Sequence, residues 1–356
     1  MSASPTPLPT TPLAGQTRDE LRRQRWARAW WDTSLVLFLI GISATAWQPD
    51  ALAAMSLIPA WCWLLAGLAT LILARRLRPR FWWIALAAVW LLFLIRVEEY
   101  RSLSRSVWSS FTTPRSVEPG ELRLRVVSLN CADGSLRTAR EAAALTPDIL
   151  LLQESPGRDD LEQLATEMFG ESHGVLWSAD TSIVARWPIQ PMRGKDTFVV
   201  GLVQPSGGPE IVVVSLRLAP PIVRYDLWNP ACWREQTAKR QQHENQISQL
   251  SQSDPLLDGF RDIKILGGDF NAAQSDRSTM SLRPFARDTF DVAGRGWGNT
   301  VLNTIPVLRF DQIWTSGHFR PTATWAVRTQ HSDHRMVVSD LVLPAKWAER
   351  GRASLP

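Results

Sequence analysis

Five short clusters of carboxylate, amide and imidazole fall in the C-terminal two thirds of the chain: Leu129-Asn130, Gln153-Glu154, Gly267-Gly268-Asp269-Phe270-Asn271, Arg309-Phe310-Asp311 and Ser332-Asp333-His334. Carboxylates suit a hard cation, amides can hold phosphate oxygens, and an Asp/His combination works as a base or as an electrostatic clamp. Such a set is equipped for phosphoester hydrolysis. Each cluster lies at or beside the end of an apolar run with strand character, and buried strands deliver reactive side chains to a rim in this way. The Gly267-Gly268 pair lets the backbone approach closely beside Asp269.

On these residues, taken in order, the segment from Leu122 to Leu343 resembles the endonuclease/exonuclease/phosphatase superfamily, which includes deoxyribonuclease I, abasic-site endonucleases, inositol polyphosphate 5-phosphatases and neutral sphingomyelinases. The resemblance implies an α/β fold, a two-sheet α/β sandwich of the deoxyribonuclease I type. It also implies a hydrolase acting on phosphoester bonds with magnesium, or manganese in its place. Magnesium keeps several waters and needs only one or two carboxylates plus substrate phosphate. Glu154 is the expected metal ligand. Asn130 orients Glu154 or holds a phosphate oxygen, and Asp333 lies on the metal side. Asp269 positions or deprotonates the attacking water, and Asn271 donates to the phosphorane oxygens. Asp311 hydrogen-bonds His334 and fixes its tautomer. His334 then stabilises charge if protonated or takes a proton if neutral; both remain open.

Two departures from the family pattern stand out. Many members carry a histidine, aimed at the leaving group, in the strand that here reads Ser215-Leu216-Arg217-Leu218. Arg217 cannot act as a general acid, but it can neutralise a leaving oxyanion or clamp a phosphate; a purely structural ion pair is the competing reading. The acid that nucleases often carry two residues after the first Asn is replaced by Ala132, with Asp133 beside it. Asn299, in the polar turn Trp297-Gly298-Asn299-Thr300, is a further candidate for substrate contact.

Length and hydropathy set the remainder. The chain has 356 residues and a formal charge of +5. Through residue 96 it carries ten Arg and no Lys against Asp19, Glu20, Asp32 and Asp50, while the rest is close to neutral. The basic excess therefore belongs to the N-terminal region, and no basic stripe of the kind that grips duplex phosphates is visible in the catalytic part. No stable nucleic-acid or protein partner is inferred. Thr33 to Trp47, Ala51 to Ala74 and Phe81 to Ile95 are apolar runs, the middle one long enough for a bilayer, which takes about 20 residues. Nine of the 18 tryptophans precede residue 96, as an interfacial belt requires. The alternative is a soluble helical subdomain. Arginines flank the first run and fill positions 75 to 80, whereas the connection at Gln48-Pro49-Asp50 has none. The positive-inside rule then gives a multi-pass membrane protein with an extracytoplasmic catalytic domain.

The expected organisation is a disordered basic N-terminus (1–29), three transmembrane helices (30–96), a Ser/Arg-rich linker (97–120), the catalytic domain (121–345) and a tail (346–356). Strands are expected at 122–129, 149–153, 181–185, 198–203, 211–218, 263–266, 310–315 and 336–343, and helices at 137–145, 159–169 and 235–250. Cys131 and Cys232 pair if their rim faces an oxidising compartment, or remain buried thiols. Two functions from different classes are compatible with the chain: a membrane-anchored phosphodiesterase acting on nucleic acid or a lipid headgroup, and a non-catalytic membrane scaffold that retains the fold.

Overall fold

The computed structural model describes residues 18–109, 118–222, 224, 226–252 and 263–349. Of the expected disordered N-terminus (1–29) and tail (346–356), residues 1–17 and 350–356 lie outside these; residues 18–29 are instead the start of the helix Arg18–Ile42, with Asp19 and Glu20 at its positive end, and Ala345–Ala348 forms a short helix. The chain divides into two units, one formed by residues up to 42 together with 61–94, the other by 43–60 together with everything from 95 onward.

The first unit holds helices α1 (Arg18–Ile42), α2 (Ala60–Leu73) and α3 (Arg80–Phe93). Trp90 lies in its interior, in edge-on ring contact with Phe38 and Phe93. Trp90 is fully buried and donates Nε1–H to Ser34 Oγ at 3.0 Å. A Cβ on Gly67 would meet the Trp90 ring at 2.2 Å, so only glycine admits that approach. Outward, Leu65, Leu68, Ile72, Ile84 and Leu91 are exposed. The helical run Arg18–Trp47 is by itself long and apolar enough to cross a membrane, whereas the stretches 50–76 and 80–108 reach that length only as bent pairs. The expected unbroken span from 51 to 74 is corrected accordingly. Pro59 disfavours helix at the residue before it, Ile58 is extended, and Asp50–Leu57 closes as a separate 3₁₀ helix.

The second unit is a sandwich of two six-stranded sheets. One contains β1 (Leu122–Asn130), β2 (Ile149–Gln153), β3 (Gly174–Trp177), β4 (Thr181–Ala185), β11 (Arg320–Val327) and β12 (Met336–Leu343), in the order β11-β12-β1-β2-β4-β3. The other contains β5 (Ile189–Lys195), β6 (Phe198–Val203), β7 (Ile211–Arg217), β8 (Lys264–Asp269), β9 (Arg287–Asp288) and β10 (Asp311–Thr315), in the order β5-β6-β7-β8-β10-β9. Side chains alternate across each strand. Val126, Leu151, Val213, Ile265 and Ile313 meet between the sheets. Val127, Leu129, Leu150 and Leu152 point the other way, under the helices α5 (Leu136–Ala143) and α6 (Arg158–Phe169). Val212, Val214 and Leu266 lie under α7 (Pro230–Gln252), which contributes Ile247 and Leu250. Truncating an inter-sheet residue such as Leu151 to Ala costs about 2–5 kcal/mol at sites of this kind.

This arrangement places the site. Strands β1 and β2 are parallel, as are β7 and β8, with Asn130 opposite Gln153 and Arg217 opposite Asp269. Antiparallel β10 sets Asp311 opposite Asp269. All five polar residues have the parity of the inter-sheet row of their own strand. The apolar layer between the sheets thus ends in a polar rim.

One further segment differs from the expected organisation. Residues 98–109 form a helix, α4 (Glu98–Ser109), rather than an open linker, and α4 hydrogen-bonds to loop residues of the sandwich. Its acidic N-terminal turn, Glu98-Glu99, suits the positive end of a helix. Cys62, Cys131 and Cys232 form no disulfide, so the expected Cys131–Cys232 pair is not made; both of these are buried, and burial pushes the Cys131 thiol far up.

Candidate active site

Asn130 joins two carboxylates. Its Nδ2 donates to Glu154 Oε1 and to Asp269 Oδ2, both at 3.1 Å, while its Oδ1 accepts from the Ala132 amide at 3.0 Å. The amide therefore orients both acids, and its oxygen is turned to the backbone. Glu154 follows β2 in a left-handed conformation, φ +45°, as do Ala132, Asp133 and Asn271 near the same rim. Non-glycine residues at positive φ carry strain that the surrounding structure must hold. Here the hold is visible: the Asp133 amide donates to Glu154 Oε2 at 2.7 Å, and Asn271 N–H donates to Asp269 Oδ1 at 2.9 Å.

Arg217 reaches across from the second sheet. It donates to Glu154 Oε1 at 2.6 Å and to Asp180 Oδ1 at 2.9 Å, and its Nε is buried without a partner. Burial opposes ionisation of Glu154, but the Asp133 amide, Asn130 and the charges of Arg217 and His334 outweigh it and hold the carboxyl below its usual range. Asp180 is raised, chiefly by burial.

The opposite side of the rim is sealed. His334 Nδ1 lies 2.8 Å from Asp311 Oδ2, and Asp311 is wholly buried, with its Oδ1 lacking a hydrogen-bond partner. Desolvation alone would lower the His334 pKa. Asp311, with help from Asp269 and Asp333, reverses the sign and raises it to about 10. Asp269 is raised to about 6 by burial and by the neighbouring Asp311. The acids around His334 favour its imidazolium form.

Asp269, Asp311 and His334 each bring a donor atom within 4.8 Å of the others, a spacing that can hold a metal ion. A protonated imidazole whose Nδ1 is occupied by Asp311 is, however, a poor ligand. Glu154 offers a half-open carboxylate kept ionised, which is the donor a hard cation needs. Asp333, next to His334, adds its charge to the pull on that imidazole. It is exposed on the wall of an open pocket of about 890 Å³ with Leu302, Asn303, Ile305 and Arg328.

The other expected residues are placed as follows. Asn271 donates Nδ2–H to the Leu218 carbonyl at 2.8 Å, so its amide is fixed against the end of β7. Asn299 is buried, and its Nδ2 donates to Glu99 Oε1 at 2.9 Å; it is not gathered with the rim groups. Sequence reasoning passed over Asp180, which carries no pattern of its own. It also passed over Ser332, whose hydroxyl donates to the Asn130 carbonyl and accepts from His334 N–H. The signal for Ser332 was present in the Ser-Asp-His cluster. Gln153, read only as part of a pair, ties the sheets by donating to Ser215 Oγ at 3.2 Å.

Fold and rim together define an α/β sandwich with a carboxylate and imidazole centre. The chain matches the profile of the Endonuclease/Exonuclease/phosphatase family over residues 127–334 and belongs to that family, whose members are hydrolases acting on phosphoester bonds. It is similar to several solved structures. One is an endonuclease/exonuclease/phosphatase from Beutenbergia cavernae DSM 12333, at 18% identity and a TM-score of 0.47, covering 62% of this chain and 72% of that one. Another is a mannosyl-6-phosphatase from Bacteroides thetaiotaomicron VPI-5482, at 16% and 0.44, covering 61% and 99%. A third is the human Nocturnin catalytic domain, at 14% and 0.45, covering 64% and 99%. Among curated proteins none matches. Family membership rests on the profile match.

Proposed function

We propose that this chain is a membrane-anchored phosphodiesterase that uses a bound divalent cation, magnesium or manganese, to hydrolyse its substrate with water. The observation that carries the reading is the meeting of two unlike groups at Asn130, an ionised Glu154 on one side and the buried Asp269, Asp311 and His334 on the other. Glu154, oriented by Asn130, would hold the cation, which would supply Lewis-acid stabilisation of charge on the phosphoryl group. Asp269, once ionised, orients the attacking water and receives its proton. His334, kept charged by Asp311, stabilises the negative charge that grows on phosphorus-bound oxygen. Arg217 faces the leaving oxygen as a permanent charge that donates hydrogen bonds without giving up a proton. Asn271 and Asp333 complete the substrate and metal sides.

The anchor is the apolar N-terminal region. We read α1, α2 and α3 as three spans, with residues 75–80 cytoplasmic and the catalytic unit outside. One structural relation supports this sidedness. The segment between the first two spans belongs to the catalytic unit: Arg240 donates to the Gln48 carbonyl at 3.0 Å, and Arg277 pairs with Asp50 at 2.7 Å. That loop and the catalytic unit therefore share one side of any membrane the helices cross. Fusing a phosphatase and a fluorescent protein separately after Pro356 tests it; an active cytoplasmic reporter with a silent phosphatase contradicts the three-span reading.

For substrate, near-neutral charge beyond residue 96 and anchoring favour a lipid headgroup over nucleic acid. Exposed Leu302 and Ile305 line the pocket that also holds Asp333, an apolar lip beside that acid. The test is a panel with the full chain in detergent, comparing DNA, RNA, sphingomyelin, phosphoinositides and a chromogenic phosphodiester with and without magnesium. Magnesium-dependent turnover of a lipid phosphodiester is the expected result. Absence of turnover on every member leaves the non-catalytic scaffold.

A further inference from the structure

We infer that α4 is a positioning element for the Asp311 and His334 pair, with Glu98 and Glu99 acting through Arg309 and Asn299. This rests on the hydrolytic reading of the site. The guanidinium of Arg309, two residues before Asp311, is buried between two acids: it donates to Glu98 Oε1 at 2.6 Å and pairs with Asp288. It also lies over the Phe290 ring, 5.0 Å from its centroid. Glu99 accepts from Asn299 at 2.9 Å, one residue before Thr300.

Thr300 is the junction. Its Oγ1 accepts from the Phe310 and Asp311 amides, both at 3.2 Å, and its carbonyl accepts from the Arg335 amide at 2.9 Å. One fully buried threonine thus holds the backbone of Asp311 and the residue after His334. What holds the threonine's own loop is α4. Ser102 donates to the Gly296 carbonyl at 2.8 Å, Ser106 accepts from the Gly296 amide at 2.7 Å, and Arg105 donates to the Gly294 and Phe290 carbonyls at 3.0 Å. These are directional bonds to named backbone atoms, so they fix the position of the loop as well as covering it. A proton-holding pair tolerates little displacement, since about 1 Å of misplacement can cost roughly 10²-fold in rate. The two carboxylates therefore set the geometry of a pair that they do not touch. Glu154 is held by other partners, the Asp133 amide, Asn130 and Arg217, at the end of β2.

The experiment uses the full chain in detergent with a chromogenic phosphodiester, comparing wild type with Glu98→Ala, Glu99→Ala and Glu99→Gln. We expect kcat to fall on the order of 10-fold in the alanine variants, while KM and the half-saturating magnesium concentration change less than about 2-fold. Glu99→Gln recovers most of the loss, because its amide oxygen still accepts from Asn299. Hydrogen exchange gives a readout independent of turnover: amides of 299–301, 309–311 and 334–336 exchange faster in the alanine variants, and those of β1 to β4 do not. Unchanged kcat in a folded variant, or exchange that rises as much in β1 to β4 as in those three segments, overturns the proposal. If wild type turns over no substrate, the hydrolytic reading fails by itself, and local against uniform exchange still decides whether α4 positions this loop.

Discussion

The two sides of the rim are built on opposite plans. Around Glu154 the groups are half-open, tied by hydrogen bonds to a backbone amide, Asn130 and Arg217, and the carboxyl is held below its usual range. Around His334 the groups are buried, and both Asp269 and His334 are pushed upward, to about 6 and about 10. Burial acts on both sides. The outcome differs because the neighbours differ: cations and N–H donors surround Glu154, whereas carboxylates surround His334. An open ionised acid suits an exchangeable ion, and a sealed imidazolium suits a fixed charge. The contrast teaches that the division of labour is set by the company each group keeps more than by depth.

Removing the sealed charge is the strongest way to break this contrast. His334→Ala should lower kcat by about 10²–10⁴-fold, with KM little changed, measured on a chromogenic phosphodiester. A folded variant with normal turnover removes the imidazolium from the account.

Asp311→Asn sharpens the comparison, because it leaves the ring in place and takes away the carboxylate that raises it. The sign follows from linkage. The folded pKa of His334, about 10, lies above its ordinary 6.5, so the stabilisation of the charged form is complete below about 6.5 and is lost as pH rises through about 10. Asp269 is also raised, from 3.8 to about 6, so its ionised form appears only as pH rises through that value. Activity of the wild type should accordingly rise with an apparent pKa near 6 and fall near 10, both belonging to the coupled group. In Asp311→Asn the alkaline limb moves to lower pH and the rate falls about 10–10²-fold. An alkaline limb that stays in place assigns it to another group.

The mildest effect is expected at the bridge between the two sides. Arg217→Ala should reduce turnover of alkyl phosphodiesters by roughly 10-fold and of activated aryl ones by less, since a good leaving group has less need of a stabilising charge. Arg217→His should improve the poor leaving groups relative to the alanine. Equal rates for arginine and alanine on every substrate make the Glu154 and Asp180 ion pairs purely structural.

Legibility in the sequence followed position in the sheets. The eight strands expected from apolar runs, β1, β2, β4, β6, β7, β8, β10 and β12, are interior to their sheets, and the four that were missed, β3, β5, β9 and β11, are the four edges. Interior strands of this sandwich are covered on both faces and read as continuous Val, Ile and Leu. Edges are short or mixed, as Gln190, Pro191 and Arg193 are in β5. The rim residues were legible because each ends an interior strand or adjoins one. Asp180 was not, since its meaning depends on Arg217 arriving from another sheet. The role of α4 was hidden for a similar reason: Ser, Arg and Glu residues resemble a solvated tether until their partners at 288–309 are known.

The central claim is that an ion held at Glu154 works with a fixed charge at His334. Its most direct test is the turnover of a chromogenic phosphodiester by the full chain and by Glu154→Gln, measured across magnesium concentrations and in excess chelator. The account predicts saturable magnesium dependence in the wild type, no turnover in chelator, and a loss of about 10²-fold or more in Glu154→Gln that added magnesium does not restore. Full activity in chelator, or an unimpaired Glu154→Gln protein, would contradict it.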